Sequence, residues 1–123
     1  MQKQDVVEIL NTLTKEKLKD HIDMLQNNER EQMRMLLDEI LVTAPDHFKI
    51  KCCEALTLIP TIEAYQTLLK ALKCKSWHVR NSAAKGLAVI GKEKAIPDLE
   101  KLLQDKAYGV REDVQHLINE LKK

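Results

Sequence analysis

The sequence predicts an all-α chain that repeats one helix pair, and three observations carry the prediction. First, Asp46–Ser76 laid over Trp77–Ala107 gives eight identities in 31 positions. They are His47/His78, Leu56/Leu87, Ile59/Ile90, Ala64/Ala95, Leu68/Leu99, Lys70/Lys101, Leu72/Leu103 and Lys75/Lys106. The shared apolar positions fall at helical spacing, so the match follows a structural unit and not composition. Second, a further copy starts at Tyr108, where Val79-Arg80 recurs as Val110-Arg111. Third, Leu, Ala, Glu and Lys dominate, Gly and Pro number three each, and no alternating run lies between hairpin turns.

The pattern predicts eight helices. Asp5–Leu13 carries Val6, Val7, Ile9, Leu10 and Leu13. Thr14 can cap a second helix, Lys15–Gln26, striped with Leu18, Ile22 and Leu25. Asn27-Asn28 breaks it, and Asn28 with Glu31 has capping-box spacing. Glu29–Thr43 then buries Met33, Leu36, Leu37, Ile40 and Leu41. Pro45 stops that helix, because proline lacks an N–H and disfavours helix in the residue before it.

Asp46–Ile59 follows, with Phe48, Cys52, Leu56 and Ile59 inward. Pro60-Thr61 breaks the chain again, and Ile62–Lys73 buries Tyr65, Leu68, Leu69 and Leu72. Ser76 caps Trp77–Ile90, which Gly91 closes in a left-handed conformation. Ala95–Gln104 holds Pro97 in its first turn, where a missing N–H costs little. Tyr108–Leu121 is the last helix, and Lys122-Lys123 complement its dipole.

The second helices share one stripe. Cys52, Leu56 and Ile59 become Ala83, Leu87 and Ile90, then Val114, Ile118 and Leu121. Leu18, Ile22 and Leu25 repeat that spacing less regularly in the first unit. Irregular end units suit a stack whose outer faces meet water. The chain therefore reads as one domain over 1–123, with units near 4–26, 29–59, 61–91 and 94–121.

Composition narrows the function. The net charge of +1 lacks the global electrostatic footprint of a nucleic-acid binder. No apolar run has signal-peptide or transmembrane length, and three cysteines without CxxC spacing form no disulfide framework. A cytoplasmic chain is the expectation.

Ala95-Ile96-Pro97-Asp98-Leu99-Glu100-Lys101-Leu102-Leu103-Gln104-Asp105, followed by Tyr108-Gly109-Val110-Arg111, resembles the HEAT-repeat signature. Trp77-His78-Val79-Arg80-Asn81-Ser82-Ala83-Ala84-Lys85-Gly86-Leu87 resembles it too. The 31-residue period is similar to the short HEAT-like repeats found in phycobilin-lyase subunits. The resemblance is strongest over residues 61–121. It implies a right-handed α–α superhelix, a solenoid of about four helix pairs. In that family an Asp in the turn and an Arg six residues later stack into a ladder between repeats. Asp105 and Arg111 keep this spacing, but Cys74 replaces the acid before Arg80, and Thr43 and Lys49 stand in one unit earlier. The expectation is that the ladder is largely lost and that apolar packing sets the register between units.

No catalytic constellation emerges. There is no phosphate loop, nucleophile elbow or Ser/His/Asp order. His21, His47, His78 and His116 are not followed by Glu, so the His-Glu pairs of the HEAT-repeat di-iron hydroxylase are absent. Without HxxxH, CxxC or ExxH, no metal or cofactor site is expected. Cys52 and Cys53 read as small core residues and Cys74 as a surface thiol. His47 and His78 read as local capping or solvated groups. Trp77 and Tyr108 read as packing across a turn or as an aromatic anchor. Lys70, Lys73, Lys75, Lys92, Lys94 and Lys101 interleave with Asp98, Glu100 and Asp105, as on a solvated mixed face.

The resemblance implies that the second helices line a concave surface. Turning their stripe inward leaves Lys51, Glu54, Thr57 and Leu58; Ser82, Lys85, Ala88 and Val89; and Asp113, His116, Asn119 and Glu120 facing out. The first unit adds Lys17, Asp20, Asp23 and Met24. The partner-binding residues expected on this strip are Lys51, Glu54, Leu58, Ser82, Lys85, Val89, Asp113 and His116. Leu58, Ala88 and Val89 either pack on a neighbouring helix or form a modest groove for a peptide or helix. The expected function is non-enzymatic binding of another protein, with weak self-association through the terminal repeats. The alternatives are nucleic-acid binding, as in HEAT-like alkylpurine glycosylases, and an auxiliary lyase-like subunit for a bilin.

Overall fold

Eight α-helices and no strand make up the chain in the computed structural model, which describes all of Met1–Lys123. They are α1 (Lys3–Thr12), α2 (Lys15–Met24), α3 (Asn27–Thr43), α4 (Asp46–Thr57), α5 (Ile62–Ala71), α6 (Trp77–Gly91), α7 (Ile96–Glu100) and α8 (Tyr108–Leu121). The second helices α4, α6 and α8 stack on one another, and α6 also packs on α5 and α7. The first helices cover them, with α1 on α3 and α3 on α4 and α5. The result is an all-α HEAT-like solenoid.

The stripe read from the repeat forms its centre. Cys52, Ala83 and Leu87 are fully buried, as are Leu56 and Val114, and Ile118 nearly so. Ile59 is buried, whereas Ile90 and Leu121 sit at the margin. One apolar cluster runs from Val6 to Ile118, so no second core divides the chain.

Local chemistry sets the helix ends. Thr14 Oγ1 accepts from the Lys17 N–H at 3.3 Å, and Thr61 Oγ1 from the Ala64 N–H at 3.1 Å. Three expectations shift. The box at the start of α3 is not Asn28 with Glu31: the Gln26 N–H donates to Glu29 Oε1 at 2.9 Å, because the helix starts earlier. Ser76 holds its cap position without a side-chain cap bond. The helix expected over Ala95–Gln104 is α-helical only at Ile96–Glu100, between 3-10 turns at Lys92–Ala95 and Lys101–Gln104. Pro97 has no N–H and its ring crowds the carbonyl four residues back, so the preceding turn tightens.

Gly91 also departs from its expected role. Its φ is −85°, and the left-handed residue is Lys92 at φ 51°. Glycine is required at 91 for space: a Cβ there would lie 2.7 Å from Tyr65 Cε2 and 3.0 Å from Ala95 Cβ. The reversal passes to exposed Lys92, which has room to turn but carries the backbone strain of a positive φ.

The ladder is not lost where it matters. Arg80 Nε and Nη2 each donate to the Asp105 carboxylate at 2.9 Å, so the pairing crosses from the third unit to the fourth. Both side chains are only 7% exposed. Arg80 Nη1 donates to the carbonyls of Cys74 and Lys75, at 3.0 and 2.7 Å. A backbone carbonyl thus replaces the acid missing at Cys74. Arg111 Nη1 donates to the Asp105 carbonyl at 2.6 Å and holds the same turn. Further bonds tie unit to unit. Thr67 Oγ1 donates to Asp38 Oδ1 at 2.6 Å, the Tyr65 hydroxyl to Asp98 Oδ2 at 2.7 Å, and Asn81 Nδ2 to Asp113 Oδ2 at 2.6 Å.

Candidate functional site

The exposed side of the stacked second helices holds a shallow cavity of about 200 Å3. The end of α4 supplies Glu54, Thr57 and Leu58, and α6 supplies Ser82, Lys85, Gly86 and Val89. Gly86 makes the floor. A Cβ at that position would lie 2.6 Å from Thr57 Oγ1 and 2.9 Å from Leu68 Cδ1, so only glycine lets α6 approach α4 this closely. Thr57 Oγ1 is itself fixed by donating to the Cys53 carbonyl at 2.8 Å.

Five of the eight expected residues therefore come together: Glu54, Leu58, Ser82, Lys85 and Val89. Lys51 lies half-buried on α4, outside the cavity lining. His116 is exposed on α8, and Asp113 is engaged by Asn81. Ala88 was expected to face out, but it is buried against the core. The repeat misplaces it because α6 contacts helices on both flanks, which widens its buried face. The apolar walls are Leu58, half-buried, and Val89, 58% exposed.

Lys15, at the start of α2, also lines the cavity. The sequence reading put Lys17, Asp20, Asp23 and Met24 on this side instead. Lys15 lies one turn before Leu18 on the same helix face, but the irregular first unit hides which of its ends meets α4 and α6. Lys15, Glu54 and Lys85 form no ion pair within the chain, so their charges remain available.

Larger hollows lie elsewhere, and their carboxylates and arginines are engaged within the chain. One of about 510 Å3 is lined by Arg30, whose Nε and Nη2 donate to the carbonyls of Ile22 and Asp23, and by Glu31, which pairs with Arg34. Another, of about 390 Å3, contains Asp38, which accepts from Arg34 and Thr67.

Reactive groups are muted. Cys52 and Cys53 are fully buried, and desolvation pushes both thiols up to about 12, so neither is a thiolate near neutral pH. Burial, with the bond to Asp98, also raises the Tyr65 phenol. The Arg80 hydrogen bonds hold the Asp105 carboxyl below the usual carboxylate range. No three His, Cys, Asp or Glu side chains gather where they could hold a metal ion. No helix is long and apolar enough to cross a membrane.

A family model of HEAT repeats matches residues 33–119. No curated protein and no solved structure matches the chain.

Proposed function

This chain belongs to the HEAT-repeat family, and on that premise we propose that it works without catalysis, holding another protein along the exposed faces of its second helices. HEAT repeats generally mediate contacts between proteins. The observation that carries the reading here is the cavity between α4 and α6. Leu58 and Val89 occupy equivalent repeat positions, flank one hollow, and stand beside the unpaired Lys15, Glu54 and Lys85.

Such a site accepts one apolar side chain from a partner helix or extended segment. Acids on the partner would meet Lys15 and Lys85, and a base would meet Glu54. The arginines weigh against nucleic acid. Arg34 and Arg80 are buried in ion pairs, and Arg30 and Arg111 donate to backbone carbonyls. These engagements compete with bidentate contacts to phosphate.

Affinity purification with crosslinking, comparing the wild-type chain with Lys85→Glu/Val89→Ser, tests the reading. Both residues are exposed, so the melting temperature should change little. Loss of the retained partner is the expected result. Undiminished retention by the folded variant would remove the groove as the binding site.

A further inference from the structure

No Asp or Glu occurs between Glu63 and Glu93, a stretch that contains Lys70, Lys73, Lys75, Arg80, Lys85 and Lys92. Charge is unevenly divided along the whole chain. Residues 1–61 hold eight Lys and Arg against eleven Asp and Glu, and residues 62–123 hold twelve against eight. The fold gathers part of the excess on one edge, where α5 turns into α6 and α7 turns into α8.

These two turns lie side by side because Arg80 binds both. It donates to the carbonyls of Cys74 and Lys75 in one turn and to the Asp105 carboxylate in the other. Lys73 and Lys75 flank the first contact and Lys106 the second, and all three are exposed. Lys70 lines a hollow of about 390 Å3 with Lys49 and Cys74, and with Asp38 and Glu39, whose carboxylates are engaged by Arg34 and Thr67 and by Lys3, respectively. Lys49, Lys70, Lys73, Lys75 and Lys106 form no ion pair within the chain. Asp105 is neutralised by Arg80 and Glu39 is paired with Lys3, while exposed Glu112 lies beside Tyr108.

Two aromatic residues stand among these cations. Trp77 and Tyr108 begin α6 and α8, and both are exposed, at 38% and 71%. Trp77 is seated on α8: a Cβ at Gly109 would lie 2.9 Å from its Cζ3. The position equivalent to Gly109 is His78 one unit earlier and His47 before that. The side chain is thus missing only where the tryptophan needs the space. Trp77 and Tyr108 follow the two turns that Arg80 ties together, and neither ring nor any of these lysines lines the α4–α6 groove.

We propose that this edge binds an acidic peptide segment of another protein, with carboxylates on Lys73, Lys75 and Lys106 and an apolar side chain against Trp77 and Tyr108. Neighbouring helix layers lie about 10 Å apart, and an extended chain rises about 3.3 Å per residue. A carboxylate about every three residues therefore matches successive turns.

A nucleic-acid strand fits less well, for two reasons. The Trp77 ring is already stacked on His78, with centroids 3.8 Å apart, and the Arg111 guanidinium lies 5.8 Å from the Tyr108 ring centroid. One face of each ring is thus taken, which leaves room for a single side chain but less stacking surface for successive bases. The edge also presents lysines and no free guanidinium.

Fluorescence anisotropy on the full chain tests the proposal, with a short fluorescein-labelled peptide of glutamates around a central leucine as the probe. Saturable binding that weakens with added salt is expected. Lys73→Glu/Lys75→Glu/Lys106→Glu should weaken it by about tenfold or more, while Lys85→Glu/Val89→Ser, in the separate groove, leaves it unchanged. Should the reversed variant melt early, Lys73→Gln/Lys75→Gln/Lys106→Gln serves in its place. Absent binding, or equal binding by a folded triple variant, overturns the proposal. Tighter binding of a labelled oligothymidylate gives the edge to single-stranded nucleic acid instead. Sedimentation that reveals self-association competed away by the peptide gives it to a second copy of the chain.

Discussion

The first helix pair and the third are joined to their neighbours by different chemistry. The first pair buries only Val6, Leu10, Leu18 and Ile22. The ion pair across its joint, Lys3 with Glu39 at 3.3 Å, leaves each side chain 58% exposed. Arg30 adds bonds to the carbonyls at the end of α2. In the third pair α6 alone buries eight residues, including Arg80, whose bond to Asp105 is shielded from water. The position of a unit in the stack explains the contrast. A middle unit has a neighbour on each side, whereas an end unit buries one face and exposes the other. The solenoid should therefore open from its N-terminal end before its middle yields.

The largest expected effect lies at the third joint. Removing one partner of a buried pair leaves an uncompensated charge, so Asp105→Ala should cost about 3–5 kcal/mol in denaturant melts. Lys3→Ala, at the exposed first joint, should cost less than about 1 kcal/mol. Acid sharpens the contrast. The Asp105 carboxyl is held below its ordinary value, so its stabilisation is fully present above the unfolded pKa of about 3.9. It is lost as pH falls through the depressed folded value. The gap between wild type and Asp105→Ala should therefore be widest near neutral pH and narrow below about pH 4. A gap independent of pH, or similar costs at both joints, would break the comparison.

Apolar truncation comes next. Leu87 is fully buried on α6 and Leu10 nearly so on α1. Leu87→Ala should cost about 2–5 kcal/mol, from lost transfer free energy plus the cavity left behind. Leu10→Ala should fall at or below the low end of that range, because an end unit can collapse or fray around the gap. Hydrogen exchange should show α1 and α2 opening under conditions that keep α6 protected. Equal protection in the two regions would mean that the chain unfolds as one cooperative block.

Much of this was legible in the sequence, for a physical reason. Burial on a helix follows a local period, so Cys52, Leu56, Ala83, Leu87, Val114 and Ile118 could be read inward from spacing alone. Leu58 and Val89 could be paired because they are 31 residues apart on equivalent helices. Contacts across the stack escape that logic. Arg80 and Asp105 are 25 residues apart, whereas the spacing visible in the chain linked Asp105 to Arg111. Lys15 was hidden because the first unit breaks the period. The acid-free stretch holding Lys70, Lys73 and Lys75 was legible, but Lys106 sits beside Asp105 in linear order, and only the fold shows that Asp105 turns to Arg80 and brings the two turns together. The roles of two glycines were out of reach for a related reason. Gly91 and Gly109 answer to side chains from other helices, which the local pattern does not name.

Gly109 offers the smallest effect and the most direct optical readout. Alanine in the first turn of α8 gains up to about 1 kcal/mol of helix propensity over glycine. Its Cβ must also displace Trp77, whose Cζ3 and Cη2 would lie 2.9 and 3.2 Å away. Trp77 is half-exposed at the start of its helix, so the ring can swing outward instead of forcing the backbones apart. The two contributions should offset, leaving Gly109→Ala within about 1 kcal/mol of wild type. The ring should meanwhile become more solvated. Trp77 is the single tryptophan of the chain, so its fluorescence should shift to the red without interference. An unshifted spectrum with a large stability loss would mean that the ring is locked at the joint between the third and fourth units. The third pair would then be pinned there by an aromatic contact as well as by Arg80, and its contrast with the first pair would be steeper still.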